Sequence, residues 1–141
     1  MDQPKNNRLS DRVLLMAHRG GEGVWPSNTL YAFQQAAALG ADVLELDIHA
    51  TRDGILVVRH DPFVESTTGG QGYICDLTLA EIKSLDAGYT WTADGGGSFP
   101  YRGRGITIPT LEEVLAAFPN MRLNIDIKPE DPLVVAPFVD L

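Results

Sequence analysis

The 141 residues are enough for one domain with a real core, and 44% apolar with 21% charged residues is ordinary for a soluble globular chain. Eleven basic against 19 acidic residues leave a net charge of −8. That balance argues against nucleic acid or an anionic membrane as the main partner, but leaves room for a small anionic substrate held by local cations. The lone Cys75 excludes an intrachain disulfide and suggests no thiolate metal site.

Residues 1–12 read as a loose polar arm. The next run, the apolar Val13–Ala17, is too short for a signal peptide's apolar region or a membrane span, so the chain is expected in the cytoplasm with no stable membrane anchor. The run itself suggests a strand buried on both faces. It ends in His18-Arg19-Gly20-Gly21, and strands that deliver such residues into a glycine-bearing loop commonly form an active-site edge. After Pro26, Ser27 or Asn28 can cap a helix from about Thr29 to Leu39, with Leu30, Phe33 and Ala37 as its buried stripe and Gly40 as its stop.

Ala41 to Asp61, ADVLELDIHATRDGILVVRHD, is the stretch around which the rest is organised. Two apolar runs flank Thr51-Arg52-Asp53-Gly54, a strong hairpin signal. Strand alternation puts Leu44, Leu46 and Ile48 on one face and Glu45, Asp47 and His49 on the other. Residues two apart on a strand are roughly 6.6 Å apart, so both carboxylates can reach one cation. A turn near Asp53 brings His60 and Asp61 back beside them. Residues 62–72 read as a loop, and Thr78-Leu79-Ala80-Glu81 is a capping box opening a short helix that closes at Ala87-Gly88. The segment 89–105 combines glycines with Tyr89, Trp91, Phe99 and Tyr101, as suits a substrate-covering lid. Thr110-Leu111-Glu112-Glu113 is a second capping box, with Leu111, Val114, Leu115 and Phe118 as the helix's apolar face. Leu123–Lys128 reads as a strand with Asn124, Asp126 and Lys128 on one side; the apolar residues from Pro132 to Leu141, broken by Pro137, receive no firm assignment. The alternation of strands and helices suggests a parallel α/β arrangement.

Three strand ends therefore carry matching equipment: His18 and Arg19; Glu45, Asp47 and His60; Asp126 and Lys128. Carboxylates without cysteine favour a hard cation such as Mg²⁺ or Ca²⁺. Arg19 and Lys128 could hold a phosphate's non-bridging oxygens. Two imidazoles, which titrate near neutrality, suit a base and an acid on opposite sides of a reacting phosphorus.

Ala17-His18-Arg19-Gly20, Asn28-Thr29, Glu45-Leu46-Asp47, Arg52-Asp53-Gly54, the run Val57 to Pro62, the run Ile108 to Leu115 and Asn124-Ile125-Asp126-Ile127-Lys128 stand in one order. Over about residues 13–130 that order resembles the N-terminal half of the glycerophosphodiester phosphodiesterase family. The resemblance implies a TIM-type (β/α) barrel truncated to about its first half, with 13–141 as a partial domain and 62–104 as an inserted segment. It also implies a divalent cation and hydrolysis of glycerophosphodiesters, the small-molecule partner, to glycerol 3-phosphate and an alcohol. By position, His18 and His60 match the catalytic pair, Glu45 and Asp47 match metal ligands, and Arg19 and Lys128 match phosphate contacts. Asp126 stands where the family usually has glutamate as the third ligand, one methylene longer. Ser27 stands where it commonly has Glu. A whole barrel needs about 250 residues, so this chain is expected to be a fragment or a half-barrel completed by another copy. The rival readings are a non-catalytic phosphodiester- or metal-binding chain, and a sphingomyelinase D-like enzyme, which shares the His-Arg-Gly and Glu-x-Asp pattern.

Overall fold

A computed structural model describes residues 13–128 and 135–139; the expected N-terminal arm, 1–12, lies outside the described residues. In chain order the elements are β1 (Met16–Ala17), α1 (Leu30–Ala38), β2 (Val43–Ala50), β3 (Leu56–Val58), α2 (Leu79–Lys83), α3 (Leu111–Ala117), β4 (Arg122–Ile127) and α4 (Val135–Val139), with 3₁₀ turns at His18–Gly20 and Ile74–Asp76. Among the described residues no helix is long and apolar enough to cross a membrane.

Strand β2 is the axis of the sheet. Its whole working length pairs in parallel with β4, from Val43 opposite Arg122 to Ile48 opposite Ile127. The opposite edge is shared: β1 pairs in parallel at Val43 and Leu44, and β3 returns antiparallel at Ile48 to Ala50. The hairpin expected from Asp53-Gly54 is present, with Gly54 at φ +81°, a region glycine enters without steric cost. Asp53 Oδ1 accepts from Thr51 Oγ1 at 2.6 Å and from the Leu79 amide at 2.9 Å, so the same turn residue clips the hairpin to the start of α2.

The alternation along β2 sorts its side chains as expected. Leu44, Leu46 and Ile48 enter the main core with Phe33 and Ala36 of α1, Leu56 and Val58 of β3, and Leu111 and Val114 of α3. A second cluster, around Val57, Val64, Ile74, Ile82 and Ile108, packs the 62–88 region onto the far face of the hairpin. Both capping boxes form, on Thr78 with Glu81 and on Thr110 with Glu113.

Five local expectations are corrected. Val13–Ala17 is not buried on both faces: only Met16 and Ala17 form a strand, and Val13 is 93% exposed. Beyond its two-residue pairing with β2, no described strand covers it. Helix α1 is capped by Thr29, whose hydroxyl accepts from the Ala32 amide, not by Ser27 or Asn28; its buried face is Ala32, Phe33 and Ala36 rather than Leu30, Phe33 and Ala37. Ala32 and Phe33 both lie against Gly20, where a Cβ would come within 3.0 Å of Ala32 and 2.8 Å of the Phe33 ring. Helix α2 ends at Lys83, before Ala87-Gly88, and Leu115 of α3 is exposed, while Leu111 and Val114 are buried and Phe118 packs against the core. The segment left unassigned at the C-terminus contains α4, with Pro137 in its first turn, where a missing amide is tolerated, and Phe138 against the core.

Candidate active site

The C-terminal end of β1 opens into a strained turn. Arg19 has φ +51°, Gly20 +78° and Gly21 +108°, and the His18 carbonyl accepts from the amides of Gly21 and Glu22 at 2.8 and 3.0 Å. Among the described residues only two non-glycine positions have positive φ, Arg19 and Asn28, and both line the same cleft. Left-handed backbone is costly at Arg19, less so at an asparagine, and such positions collect at functional sites. The Arg19 carbonyl accepts from the Asn28 amide at 2.9 Å, which locks the two strained positions together.

The expected residues converge. His18 Nε2 lies 4.0 Å from Glu45 Oε2, and the Arg19 amide donates to that same oxygen at 2.8 Å. Asp47, 2% exposed, is surrounded by donors and cations. Asn28 Nδ2 donates to Oδ2 at 2.9 Å, Lys128 Nζ lies 3.0 Å from Oδ1, and Arg19 Nε approaches Oδ2 at 3.5 Å. Burial alone would raise the Asp47 pKa, but the hydrogen bonds from Asn28 and Lys128 and the Lys128 charge hold it below the usual aspartate value. Burial lowers the affinity of the Lys128 ammonium for its proton, while Asp126 and Asp47 more than reverse that and raise its pKa.

His60 leaves the end of β3 with Nδ1 held by Asp61 Oδ1 at 2.8 Å, and its carbonyl accepts from His49 Nε2 at 2.9 Å. Burial makes His49 less basic than a free histidine, consistent with a structural brace. Behind His60 the buried Arg59 spans the adjoining loop. Its Nε donates to the Phe63 carbonyl at 3.0 Å, its Nη2 to Ser66 Oγ at 2.5 Å, and its Nη1 to the Thr67 hydroxyl; Ser66 in turn donates to Asp61. The result is a cleft of about 180 Å³ lined by Arg19, Glu22, Ser27, Asn28 and residues Arg59 to Asp61, closed by Ser66 and Thr67.

The aromatic segment 89–105 does not supply lining residues to that cleft. Tyr101 packs on Tyr31 of α1 and edge-on to Trp91, at centroid distances of 5.3 and 4.9 Å, and Arg102 sits 4.0 and 3.9 Å over Tyr89 and Phe99. Its link to the cleft is Thr90, whose hydroxyl donates to the Ser66 carbonyl at 2.9 Å.

The third expected carboxylate, Asp126, stands opposite Asp47 in the β2–β4 register. Lys128 Nζ bridges the two, 2.7 Å from Asp126 Oδ2 and 3.0 Å from Asp47 Oδ1. The ammonium lies between the paired carboxylates, and carboxylate oxygens are of the donor type that a hard cation takes. Among the described residues, however, no three His, Cys, Asp or Glu side chains are gathered closely enough to hold a metal, and Lys128 occupies the position between Asp47 and Asp126.

Three contributors carry little signal in the sequence. Asn28, a cap candidate by its position, turns left-handed and reaches Asp47. Arg59 stands out only as part of the run before His60. Glu22 gives no signal in its glycine-rich surroundings, yet its carboxylate contacts both His18 and Arg19.

The model of the glycerophosphoryl diester phosphodiesterase family matches residues 18–138. The chain belongs to that family. A glycerophosphodiester phosphodiesterase of Bacillus subtilis is 44% identical over 119 residues, covering 81% of this chain and 39% of the relative. One from Caldanaerobacter subterraneus is 45% identical over 119 residues, covering 83% and 46%. Among solved structures, a glycerophosphoryl diester phosphodiesterase domain from Mycobacterium tuberculosis superimposes with a TM-score of 0.81 at 32% identity, covering 92% of this chain and 49% of that one. A phosphodiesterase of Oleispira antarctica, solved with the product sn-glycerol-3-phosphate, gives 0.77 at 35% identity, covering 91% and 51%. The chain thus spans about half the length of the relatives it matches or less, and its α/β sheet is the corresponding part of the family's TIM-type barrel.

Proposed function

We propose that this chain contributes a metal-assisted phosphodiesterase site acting on glycerophosphodiesters, with glycerol 3-phosphate and an alcohol as products. The convergence of His18, Arg19, Glu45, Asp47, His60 and Lys128 from separate strand ends is the observation that supports it most. The product named with the Oleispira relative supports the substrate class.

In this reading Arg19 and Lys128, whose cationic groups both lie against Asp47, take the phosphate's non-bridging oxygens. One histidine accepts the proton of the attacking nucleophile and the other donates a proton to the departing oxygen as the P–O bond breaks. Asp61 fixes the ring of His60 for that task. Glu45, Asp47 and Asp126 would hold Mg²⁺ or Ca²⁺, which when bound supplies positive charge against the phosphoryl oxygens. For Asp126 to join, Lys128 must leave the position between the two aspartates.

The test is release of glycerol 3-phosphate from glycerophosphocholine with Mg²⁺ or Ca²⁺ added. Activity that persists in His18→Ala or His60→Ala defeats the assignment, and turnover of intact phospholipid in preference to the deacylated diester favours the sphingomyelinase D-like reading. The other reading is a phosphodiester- or metal-binding chain without turnover that pairs with a second copy. An oligomer in scattering with bound ligand and no product would support it.

A further inference from the structure

We propose that Ser66 is a positioning residue: its hydroxyl, held by the guanidinium of Arg59, fixes the Asp61 carboxylate and through it the ring of His60. Its value for catalysis rests on the phosphodiesterase reading above. Arg59 is 5% exposed and rooted in the sheet, where its amide donates to the Asp47 carbonyl at 2.8 Å. All three guanidinium nitrogens are engaged by the loop that follows β3. Nε donates to the Phe63 carbonyl at 3.0 Å, Nη1 to the Thr67 hydroxyl and Nη2 to Ser66 Oγ. A planar guanidinium held in this way presents its donors in fixed directions. The main chain of the same loop is gripped from the aromatic segment. The Thr90 hydroxyl donates to the Ser66 carbonyl at 2.9 Å, and the Thr90 amide to the Thr67 carbonyl at 3.4 Å.

A guanidinium only donates, and a hydroxyl has a single hydrogen. Ser66 Oγ therefore accepts from Arg59, and its hydrogen goes to Asp61 Oδ2. The other carboxylate oxygen, Oδ1, lies 2.8 Å from His60 Nδ1. Ser66 thus sets the plane of Asp61 from one side, and Asp61 sets the imidazole on the other. His60 and Asp61 are 38% and 31% exposed at the side chain, so water competes for these oxygens unless the loop holds them. Burial raises the Asp61 pKa, but the hydrogen bonds from Ser66 and His60 and the charges of Arg59 and His60 outweigh it and hold it below the usual aspartate value. Ser66 itself is exposed and lies outside the helices and strands, so its substitution leaves the core untouched.

Carboxyl ¹³C spectra of the full chain labelled on aspartate follow Asp61 through its titration. The expected midpoint lies below the ordinary aspartate value in the native chain and rises by about half a pH unit or more in Ser66→Ala. Ser66→Thr, which keeps the hydroxyl, titrates as the native chain does. In turnover of glycerophosphocholine, kcat falls about fivefold in Ser66→Ala while KM changes less than about twofold, and Ser66→Thr restores kcat. An Asp61 midpoint indifferent to loss of the hydroxyl, or Ser66→Thr titrating like Ser66→Ala, overturns the relay. A shifted midpoint with unchanged kcat overturns the positioning role. Absence of turnover in the native chain counts against the phosphodiesterase reading, while the Asp61 titration still decides the relay by itself.

Discussion

Strands β2 and β4 run side by side with nearly the same pattern, yet they live in different surroundings. Along β2 every residue from Val43 to Ile48 is buried; along β4 the apolar residues Leu123, Ile125 and Ile127 are half-covered and Asn124 and Asp126 face water. The paired carboxylates of the two strands differ accordingly. Asp47 is 2% exposed and braced by three partners, whereas Asp126 is 50% exposed and meets one ammonium. An acidic residue on an alternating strand acquires a fixed geometry only where other elements cover it, here the Arg19 turn and Asn28.

The contrast can be broken most directly at those two acids. Asp47→Ala leaves Arg19 Nε and Lys128 facing each other without their shared counter-charge, and is expected to cost about 3–5 kcal/mol in urea unfolding. Asp126→Ala is expected to cost under about 1 kcal/mol, and equal losses would end the distinction. A smaller effect separates the apolar faces: Leu46→Ala, in the closed core, should cost about 3 kcal/mol, and Ile125→Ala, half-covered on β4, about 1 kcal/mol by the same measurement. Leu15→Lys next to β1 should change monomer stability by less than about 0.5 kcal/mol, since that residue already faces water. A fall in oligomer mass in this variant by light scattering would show that a second copy covers the edge.

The weakest effect comes from a carboxylate away from both strands. Burial raises the pKa of Glu113, but hydrogen bonds from Lys83 and Thr110 and the Lys83 charge outweigh it, leaving the folded-state value below the ordinary one. A depressed folded pKa means stability that is full above the unfolded value near 4.5 and fades as pH falls through the folded value. Glu113→Gln should therefore be less stable than the native chain by about 0.5 kcal/mol at pH 7 and indistinguishable from it in strong acid, measured as the urea midpoint at each pH.

Much of the site is legible in the chain. Glu45-Leu46-Asp47 and the Asp53-Gly54 turn specify a hairpin with one apolar and one acidic face, because strand alternation and turn chemistry act over a few residues. His18 and Glu45, carried on separate strand ends, come within 4.0 Å of each other. Glu22 is not legible as a contributor, and Asn28 is legible only as part of the Asn28-Thr29 motif. Nothing local says that Asn28 will turn left-handed to reach Asp47, or that a glycine-rich turn will fold Glu22 back over His18. The burial expected of Val13–Ala17 fails for a related reason: an apolar run states its preference, not whether anything lies beside it.

The sequence by itself determined the hairpin, the two capping boxes, the family order of motifs and the identity of the ionisable groups, since each depends on neighbours a few positions away. Only the tertiary structure decided which acid is enclosed, how Lys128 divides itself between two aspartates, and which carboxylate stands behind each histidine. Those outcomes depend on how the strand ends are brought together across many residues, where a shift of a few ångströms turns a solvated charge into a buried, partnered one.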